Sequence, residues 1–259
     1  MKEFFTRAIF GLIYAATLLS STYYSKHTFY VVFFIIMLLC LKEFSKLIKF
    51  SKKWIFVIAI LLFFSFTDYL PGYIIYTFTI ISVVIPFVNY FINEKISKED
   101  ISNFFLSTIY IILPFGLLLR IPFSHGSYDA TIIIAVFIFI WTNDSFAYIV
   151  GKSIGKHKLI ERISPNKTIE GFIGGIVATN IMAYIISIYY PNLNMLHWFI
   201  LANITGLFAV MGDLVESKFK RLANVKDSAN VIPGHGGFLD RLDSLILVAP
   251  FVYLFLQLV

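Results

Sequence analysis

The sequence predicts an all-α fold: a polytopic integral membrane protein of about nine transmembrane helices, with the N-terminus cytoplasmic and the C-terminus outside. Three observations predict it. First, 59% of the 259 residues are hydrophobic and only 14% are charged, against about 25% charged in soluble domains. A soluble globule of this size has too little interior for so much apolar surface, so lipid must be the solvent. Second, charge-free runs recur at lengths that suit helices crossing a hydrocarbon core about 30 Å thick. Third, 19 of the 21 Lys and Arg residues fall on one side of the resulting alternation, as the resistance of positive charge to translocation requires. Cys40 is the only cysteine, which excludes an internal disulfide. It lies in an apolar run and is read as packed or lipid-facing. The net charge of +6 fits cytoplasmic anchoring and an anionic substrate rather than nucleic acid.

The runs locate the spans. They are 8–25, 27–41, 54–67, 69–93, 101–119 and 130–151, the last with Asp144 as its only charge. Run 171–212 is 42 residues long and holds two helices, parted at the Pro-Asn-Leu-Asn of 191–194. Run 244–259 is the ninth. Runs 27–41 and 54–67 are short for a crossing, so they extend into polar neighbours or sit in a thinned bilayer. The cytoplasmic pieces are then 1–7, 42–53, 94–100, 152–170 and 213–243; only Lys26 and Arg120 fall outside them. No small-residue cleavage site follows the first run, so no cleavable leader is expected. The lack of a targeting extension points to a bacterial inner membrane.

Residues 1–100 read as N-terminal membrane helices with a basic interfacial segment at 42–53. There Leu41, Phe44, Leu47 and Ile48 share one helical face, and Lys42, Lys46, Lys49 and Lys53 lie largely off it. Such a helix lies on an anionic leaflet, unless it is a plain basic connector. Residues 101–259 read as the catalytic region, and functional polarity is expected only there. Asn180 and Asn203, inside spans, read as interhelical hydrogen-bond partners.

Two cytoplasmic segments concentrate the charge. In 213–243, Asp213, Ser217 and Arg221 are spaced by four and share a helical face. Glu216 and Lys220 have the same spacing and read first as a solvated ion pair. Then Pro233, Gly234, His235, Gly236 and Gly237 break the helix, and glycine there leaves amides free to meet phosphate oxygens. His235, held between glycines, reads as part of the active site. Asp240 and Asp243, with Arg241 between them, open the last membrane helix. Carboxylates at the entry to hydrocarbon are costly and usually functional. Hard oxygen ligands beside glycine amides and basic residues suit a magnesium–phosphate site; pairing with Arg241 is the alternative. In 152–170, Ser164 and Pro165 precede Lys167, Thr168 and Glu170 at the start of the next span. Thr168 is placed to cap that helix and Lys167 to meet a phosphate. Asp144 lies about two turns inside the sixth span, where it needs a cation or donor.

The stretch SKFKRLANVKDSANVIPGHGGFLDRLDS (217–244) resembles the signature of the CDP-diacylglycerol synthases, or phosphatidate cytidylyltransferases. Ser217, Lys220, Arg221, Lys226, Asp227, Pro233, His235, Gly236, Gly237, Asp240, Arg241 and Asp243 carry the resemblance. Asp144 through Tyr148, Gly151 with Gly155, Ser164-Pro165, Lys167-Thr168 and Glu170-Gly171 extend it over 141–244. Asn166 and Ile169 depart from the usual Lys and Trp. The resemblance implies transfer of CMP from CTP to phosphatidic acid, giving CDP-diacylglycerol and pyrophosphate, by a homodimer in the bilayer with its active site facing the cytoplasm. It implies Mg²⁺, with room for a second cation such as K⁺, on Asp213, Asp240 and Asp243, with Asp144 as a polar anchor nearby. Lys167, Lys220, Arg221, Lys226 and Arg241 would hold phosphates, with Ser164, Thr168, Ser217, Gly236 and Gly237 lining the substrates. Asp227 and His235 join the catalytic set, His235 without a base role, because a lipid phosphate is already ionised. A transporter would not explain the charge density of 213–243. A CDP-alcohol phosphotransferase would carry D-G-x-x-A-R, which is absent. A CTP-dependent polyprenol kinase would move the γ-phosphoryl group instead.

The topology makes a direct prediction. Cysteines introduced at positions 158 and 224 should escape an impermeant thiol reagent applied to intact cells, whereas one at 125 should react. Labelling at 158 or 224 would contradict the nine-span arrangement.

Overall fold

The computed structural model describes residues 2–68, 74, 77, 100–124, 126–231 and 236–259. Of the expected span 69–93 only residues 74 and 77 are described, and His125, Pro233, Gly234 and His235 lie outside the described residues. Eight helices are described: α1 (Lys2–Tyr24), α2 (Lys26–Leu47), α3 (Trp54–Asp68), α4 (Asp100–Phe123), α5 (Thr131–Ile154), α6 (Ile169–Tyr189), α7 (Met195–Leu222) and α8 (Leu239–Leu256). Each coincides with an apolar run read from the sequence. Five of them, α2 and α4 to α7, are long and apolar enough to cross a membrane. The short run at 27–41 does extend into its polar neighbours, whereas α3 stays at 15 residues.

Local chemistry sets the boundaries. Ser25 alone separates α1 from α2, and its hydroxyl accepts from Thr28 N at 3.2 Å. The expected break at 191–194 falls between α6 and α7, where Asn194 Oδ1 accepts from His197 N at 2.8 Å. Both are side-chain caps for otherwise orphaned amides. α4 widens into a π-helical turn at Thr108–Ile112 just before Pro114. The proline lacks an N–H and its ring would crowd the carbonyl one turn back, which the wider turn relieves.

The described residues are mostly helical, as expected, with one small addition: β1 (Lys158–Ile160) and β2 (Ser164–Thr168) form an antiparallel hairpin with an irregular register between α5 and α6. One expectation needs correction: residues 42–53 do not form a separate helix. Residues 42–47 complete α2, and Leu41, Phe44, Leu47 and Ile48 are buried in the protein core. The chain turns out of α2 through Lys49, at φ 57°.

α5 packs on α6, α6 on α7, α7 on α8 and α8 on α4, while α1 packs on α2 and α3 on α4. Asn180 and Asn203 join α6 to α7 as expected, each amide donating to the other's oxygen at 3.2 and 2.9 Å. Cys40 is packed, fully buried. Ile173, Val177, Ile181, Tyr184 and Ile188 remain exposed on α6. Their spacing of three and four makes one apolar stripe, a liability in water and the natural face of a helix toward lipid.

A close backbone approach between two helices positions the site. A Cβ on Gly212 of α7 would stand 2.5 Å from the Asp243 carbonyl oxygen on α8, so only glycine lets these helices meet at that depth. Gly212→Leu should therefore lower stability in detergent by about 1–3 kcal/mol or more, the usual cost of overpacking. A melting temperature equal to wild type would contradict this crossing.

Candidate active site

The last two turns of α7 and the first two of α8 face each other and carry the acidic residues. The helical repeat puts Asp213, Glu216, Ser217 and Lys220 on the side of α7 that meets α8. Carboxylate oxygens of Asp213, Glu216 and Asp243 all lie within 4.8 Å of one another. Glu216 is 1% exposed and Asp243 8% exposed. Glu216 is therefore not the solvated partner expected from its spacing. It does pair with Lys220 through Oε2, but inside the protein, and its Oε1 has no hydrogen-bond partner. Asp243 Oδ1 accepts from Ser244 N at 2.7 Å.

Asp240 takes a different part. Its Oδ1 accepts from Lys220 Nζ at 2.7 Å. Its Oδ2 accepts from Ser228 N, Ser228 Oγ and Gly237 N at 2.9, 2.9 and 2.8 Å. Lys220 Nζ and the Ser228 and Gly237 amides occupy both oxygens, with the Ser228 hydroxyl proton shared with Glu43, so Asp240 anchors the chain around it. The carboxylates that converge are Asp213, Glu216 and Asp243; Asp240, expected to act with Asp213 and Asp243, stands beside them with its oxygens met by donors. Gly237 N, expected to be open to phosphate, is already used by Asp240. Gly236 has φ +83°, and a Cβ there would lie 2.6 Å from Asp240 Oδ2, which explains glycine at that position.

Basic residues surround the trio. Lys167 Nζ, delivered by β2, meets Asp213 Oδ2 at 2.6 Å, and Ser217 Oγ donates to Asp213 Oδ1 at 3.0 Å. Asp144 interacts electrostatically with Lys167, Asp213 and Arg241, which gives it the cationic neighbours its place in α5 requires. Thr168 is the cap of α6, accepting from Gly171 N at 3.1 Å, as its position suggested. Glu170 accepts from the Lys156 and His157 amides and from His157 Nδ1 at 2.6 Å, closing the hairpin onto α6. Ser164 stands at the start of β2 and is partly buried. Arg221, Lys226 and Asp227 are exposed; Arg221 donates to the Val225 carbonyl at 3.3 Å. Arg241 is exposed at the head of α8, and its backbone oxygen accepts from Tyr14 Oη at 3.1 Å.

Among the described residues, Asp144, Asp213, Glu216, Asp240 and Asp243 interact electrostatically with Lys167, Lys220 and Arg241. Five carboxylates against three cations leave an excess of negative charge in a largely buried place. Like charges this close cannot all stay ionised without a counter-charge. With Glu216 Oε1 unpartnered, three hard oxygen donors fit a small divalent cation.

A model of the cytidylyltransferase family matches residues 5–259. The chain belongs to the cytidylyltransferase family. It is similar to the phosphatidate cytidylyltransferase of Bacillus subtilis (strain 168), 40% identical over 168 residues, which cover 64% of this chain and 62% of the relative. The phosphatidate cytidylyltransferases of Staphylococcus aureus (strain COL) and Staphylococcus haemolyticus are 48% and 47% identical over 126 residues, 48% of this chain and of each relative. The matched stretches thus span about half to three-fifths of the relatives' lengths.

Within this cytidylyltransferase-family chain, sequence reasoning missed Glu43. It lies on α2, is 4% exposed, and accepts from Ser228 Oγ at 2.9 Å, Phe238 N at 3.1 Å and Leu239 N at 2.9 Å. Polarity that serves the site is therefore not confined to the second half. A lone Glu in an otherwise Lys-rich stretch was the available signal. Tyr110 was missed too: its hydroxyl is buried without a hydrogen-bond partner, and its ring packs on Phe44 and Phe219.

Lys220 makes this arrangement testable. Lys220→Met removes the charge between Glu216 and Asp240 and should destabilise the protein by roughly 3–5 kcal/mol. Lys226→Met, at an exposed position, should stay within about 0.5 kcal/mol of wild type. Equal melting temperatures for the two variants would contradict the buried network.

Proposed function

We propose that the protein is a phosphatidate cytidylyltransferase of a bacterial inner membrane. It transfers CMP from CTP to phosphatidic acid, giving CDP-diacylglycerol and pyrophosphate. The observation that carries the reading is the convergence of Asp213, Glu216 and Asp243 beside Lys167, Lys220 and Arg241, inside the segment whose residues match the family.

The chemistry fits these groups. An oxygen of the lipid phosphate attacks the α-phosphorus of CTP, and the bond from that phosphorus to the β-phosphate oxygen breaks as pyrophosphate leaves. Both reactants are anions, so catalysis is mainly charge neutralisation and in-line positioning. Asp213, Glu216 and Asp243 would hold Mg²⁺, with K⁺ a candidate second ion; bound there, the cation supplies positive charge to the triphosphate. Lys167 and Arg241 offer charge to phosphates at the mouth of the site. Arg221 and Lys226, being exposed, are free to meet a lipid headgroup or the nucleotide as they arrive. Lys220 is committed to Glu216 and Asp240 and keeps their carboxylates oriented. Ser217 orients Asp213. Ser164, Gly236 and, outside the described residues, His235 complete the proposed substrate surface; Asp227 stands at its edge. Asp240, Gly237 and Thr168 hold the framework.

The reading includes nine spans with the N-terminus inside and the C-terminus outside, 152–170 and 213–243 facing the cytoplasm, residues 101–259 as the catalytic region, and a homodimer. The bias of Lys and Arg supports the orientation. Only a site at the cytoplasmic interface lets a soluble nucleotide meet a lipid phosphate.

Incubating the purified protein with phosphatidic acid, Mg²⁺ and CTP labelled at the α-phosphorus should move label into lipid, while γ-label should leave as pyrophosphate. Recovery of γ-label in the lipid would replace this reading with a kinase. Asp213→Asn and Glu216→Gln should each lower turnover by at least about 10²-fold. Arg241→Lys should fall by roughly 10²–10³-fold, because an ammonium cannot offer two parallel donors to a phosphate. Normal kinetics in Arg241→Lys would return that residue to a structural role.

A further inference from the structure

Glu43 sits on a helix that contributes nothing to the family signature, yet among the described residues its acidic side chain reaches the reaction centre from α2. Its carboxylate is met by donors alone. Oε1 accepts from Phe238 N at 3.1 Å, and Oε2 accepts from Leu239 N and Ser228 Oγ, both at 2.9 Å. Phe238 and Leu239 open α8, so Glu43 satisfies amides that the helix itself cannot and places negative charge at the positive end of its dipole. The cap comes from 195 residues away in sequence. The space it needs is made by Gly237, where a Cβ would lie 2.3 Å from Glu43 Oε2 and 2.2 Å from Ser228 Oγ. Any side chain at 237 would push the carboxylate out.

The bonds continue inward. Ser228 Oγ is 2.9 Å from Glu43 Oε2 and 2.9 Å from Asp240 Oδ2, so its single proton is shared between the two carboxylates. Asp240 Oδ1 holds Lys220 Nζ at 2.7 Å, and Lys220 pairs with Glu216. Glu216 is one of the three converging carboxylates. An unbroken line runs from α2 through Ser228, Asp240 and Lys220 to the acidic trio. A second tie, from Tyr14 Oη on α1 to the Arg241 carbonyl at 3.1 Å, holds the same turn of α8 from the other side.

We propose that Glu43 is a positioning residue for the reaction centre: it caps α8 and, through Ser228 and Asp240, fixes the Lys220–Glu216 pair beside Asp213 and Asp243. This rests on the cytidylyltransferase reading above. Its consequence is that the N-terminal helices determine the geometry of a site whose reacting groups all lie after residue 140. Gln cannot replace Glu here, since its single acceptor oxygen cannot serve three donors on two oxygens. Asp cannot either, being one methylene too short to reach them all.

The test compares wild type, Glu43→Gln and Ser228→Ala in detergent. Supporting outcomes for Glu43→Gln are a kcat lowered and a half-saturating Mg²⁺ concentration raised, each by about 10- to 100-fold, with the KM for phosphatidic acid unchanged. Ser228→Ala keeps both backbone bonds to Glu43 and removes only the hydroxyl shared between Glu43 and Asp240. It should shift the Mg²⁺ requirement in the same direction by a smaller factor, and Ser228→Thr should restore it. A purely structural Glu43 would lower the melting temperature and leave kcat and the Mg²⁺ requirement of the folded fraction alone, which would overturn the proposal. If Glu43→Gln does not fold, Ser228→Ala decides: wild-type kinetics there overturn it. Titration with Mn²⁺, following the paramagnetic resonance of the free ion, reads the same effect without turnover. If the wild type makes no CDP-diacylglycerol, the functional reading fails. Glu43 is then judged by Mn²⁺ affinity alone, with equal affinity in wild type and variants counting against it.

Discussion

Lys220 Nζ lies between two buried carboxylates, Glu216 and Asp240, and the rest of the site depends on that contact. Asp240 anchors Ser228 and Gly237; Glu216 stands against Asp213 and Asp243. One ammonium thus joins a framework carboxylate to the acidic trio. Breaking a buried pair leaves an uncompensated charge, which costs far more than the pair contributes over an apolar replacement.

The fold supplies the depth at which this is possible. Gly212 lets α7 and α8 approach until the trio converges. The hairpin between α5 and α6 brings Lys167 to Asp213, and α2 sends Glu43 across to the head of α8. Apolar stripes such as Ile173–Val177–Ile181 face outward, so charge is gathered at one end of the helical array while its flanks stay compatible with lipid. The proposed joining of a water-soluble anion to a lipid anion would need that division.

Much of this was legible in the sequence. Charge-free runs located the eight described helices because hydrocarbon tolerates nothing else over that length. The Pro-Asn break at 191–194, the Thr168 cap and the Asn180–Asn203 pair followed from local rules. The motif residues pointed to the cytidylyltransferase family by type and spacing. Which carboxylates converge was not legible. Asp240 and Asp243 are equally plausible ligands at a spacing of three, and only packing shows that Asp240 is saturated by Lys220, Ser228 and Gly237. Glu216 looked like a surface pair because i,i+4 spacing says nothing about burial. Glu43 was hidden because its partners are nearly two hundred residues away. The 158–168 hairpin was hidden because its strands are short and one contains Pro165.

The central claim is that Asp213, Glu216 and Asp243 form a cation site built into the fold. The most direct measurement is thermal unfolding of the detergent-solubilised protein as Mg²⁺ is raised, in wild type and in Asp243→Asn. A cation that binds only the folded state stabilises it by about 2.7 kcal/mol at a hundredfold excess over its dissociation constant. The account predicts a melting temperature that climbs with Mg²⁺ in wild type and a response largely lost in Asp243→Asn. An identical response in both proteins, or none in either, would contradict it.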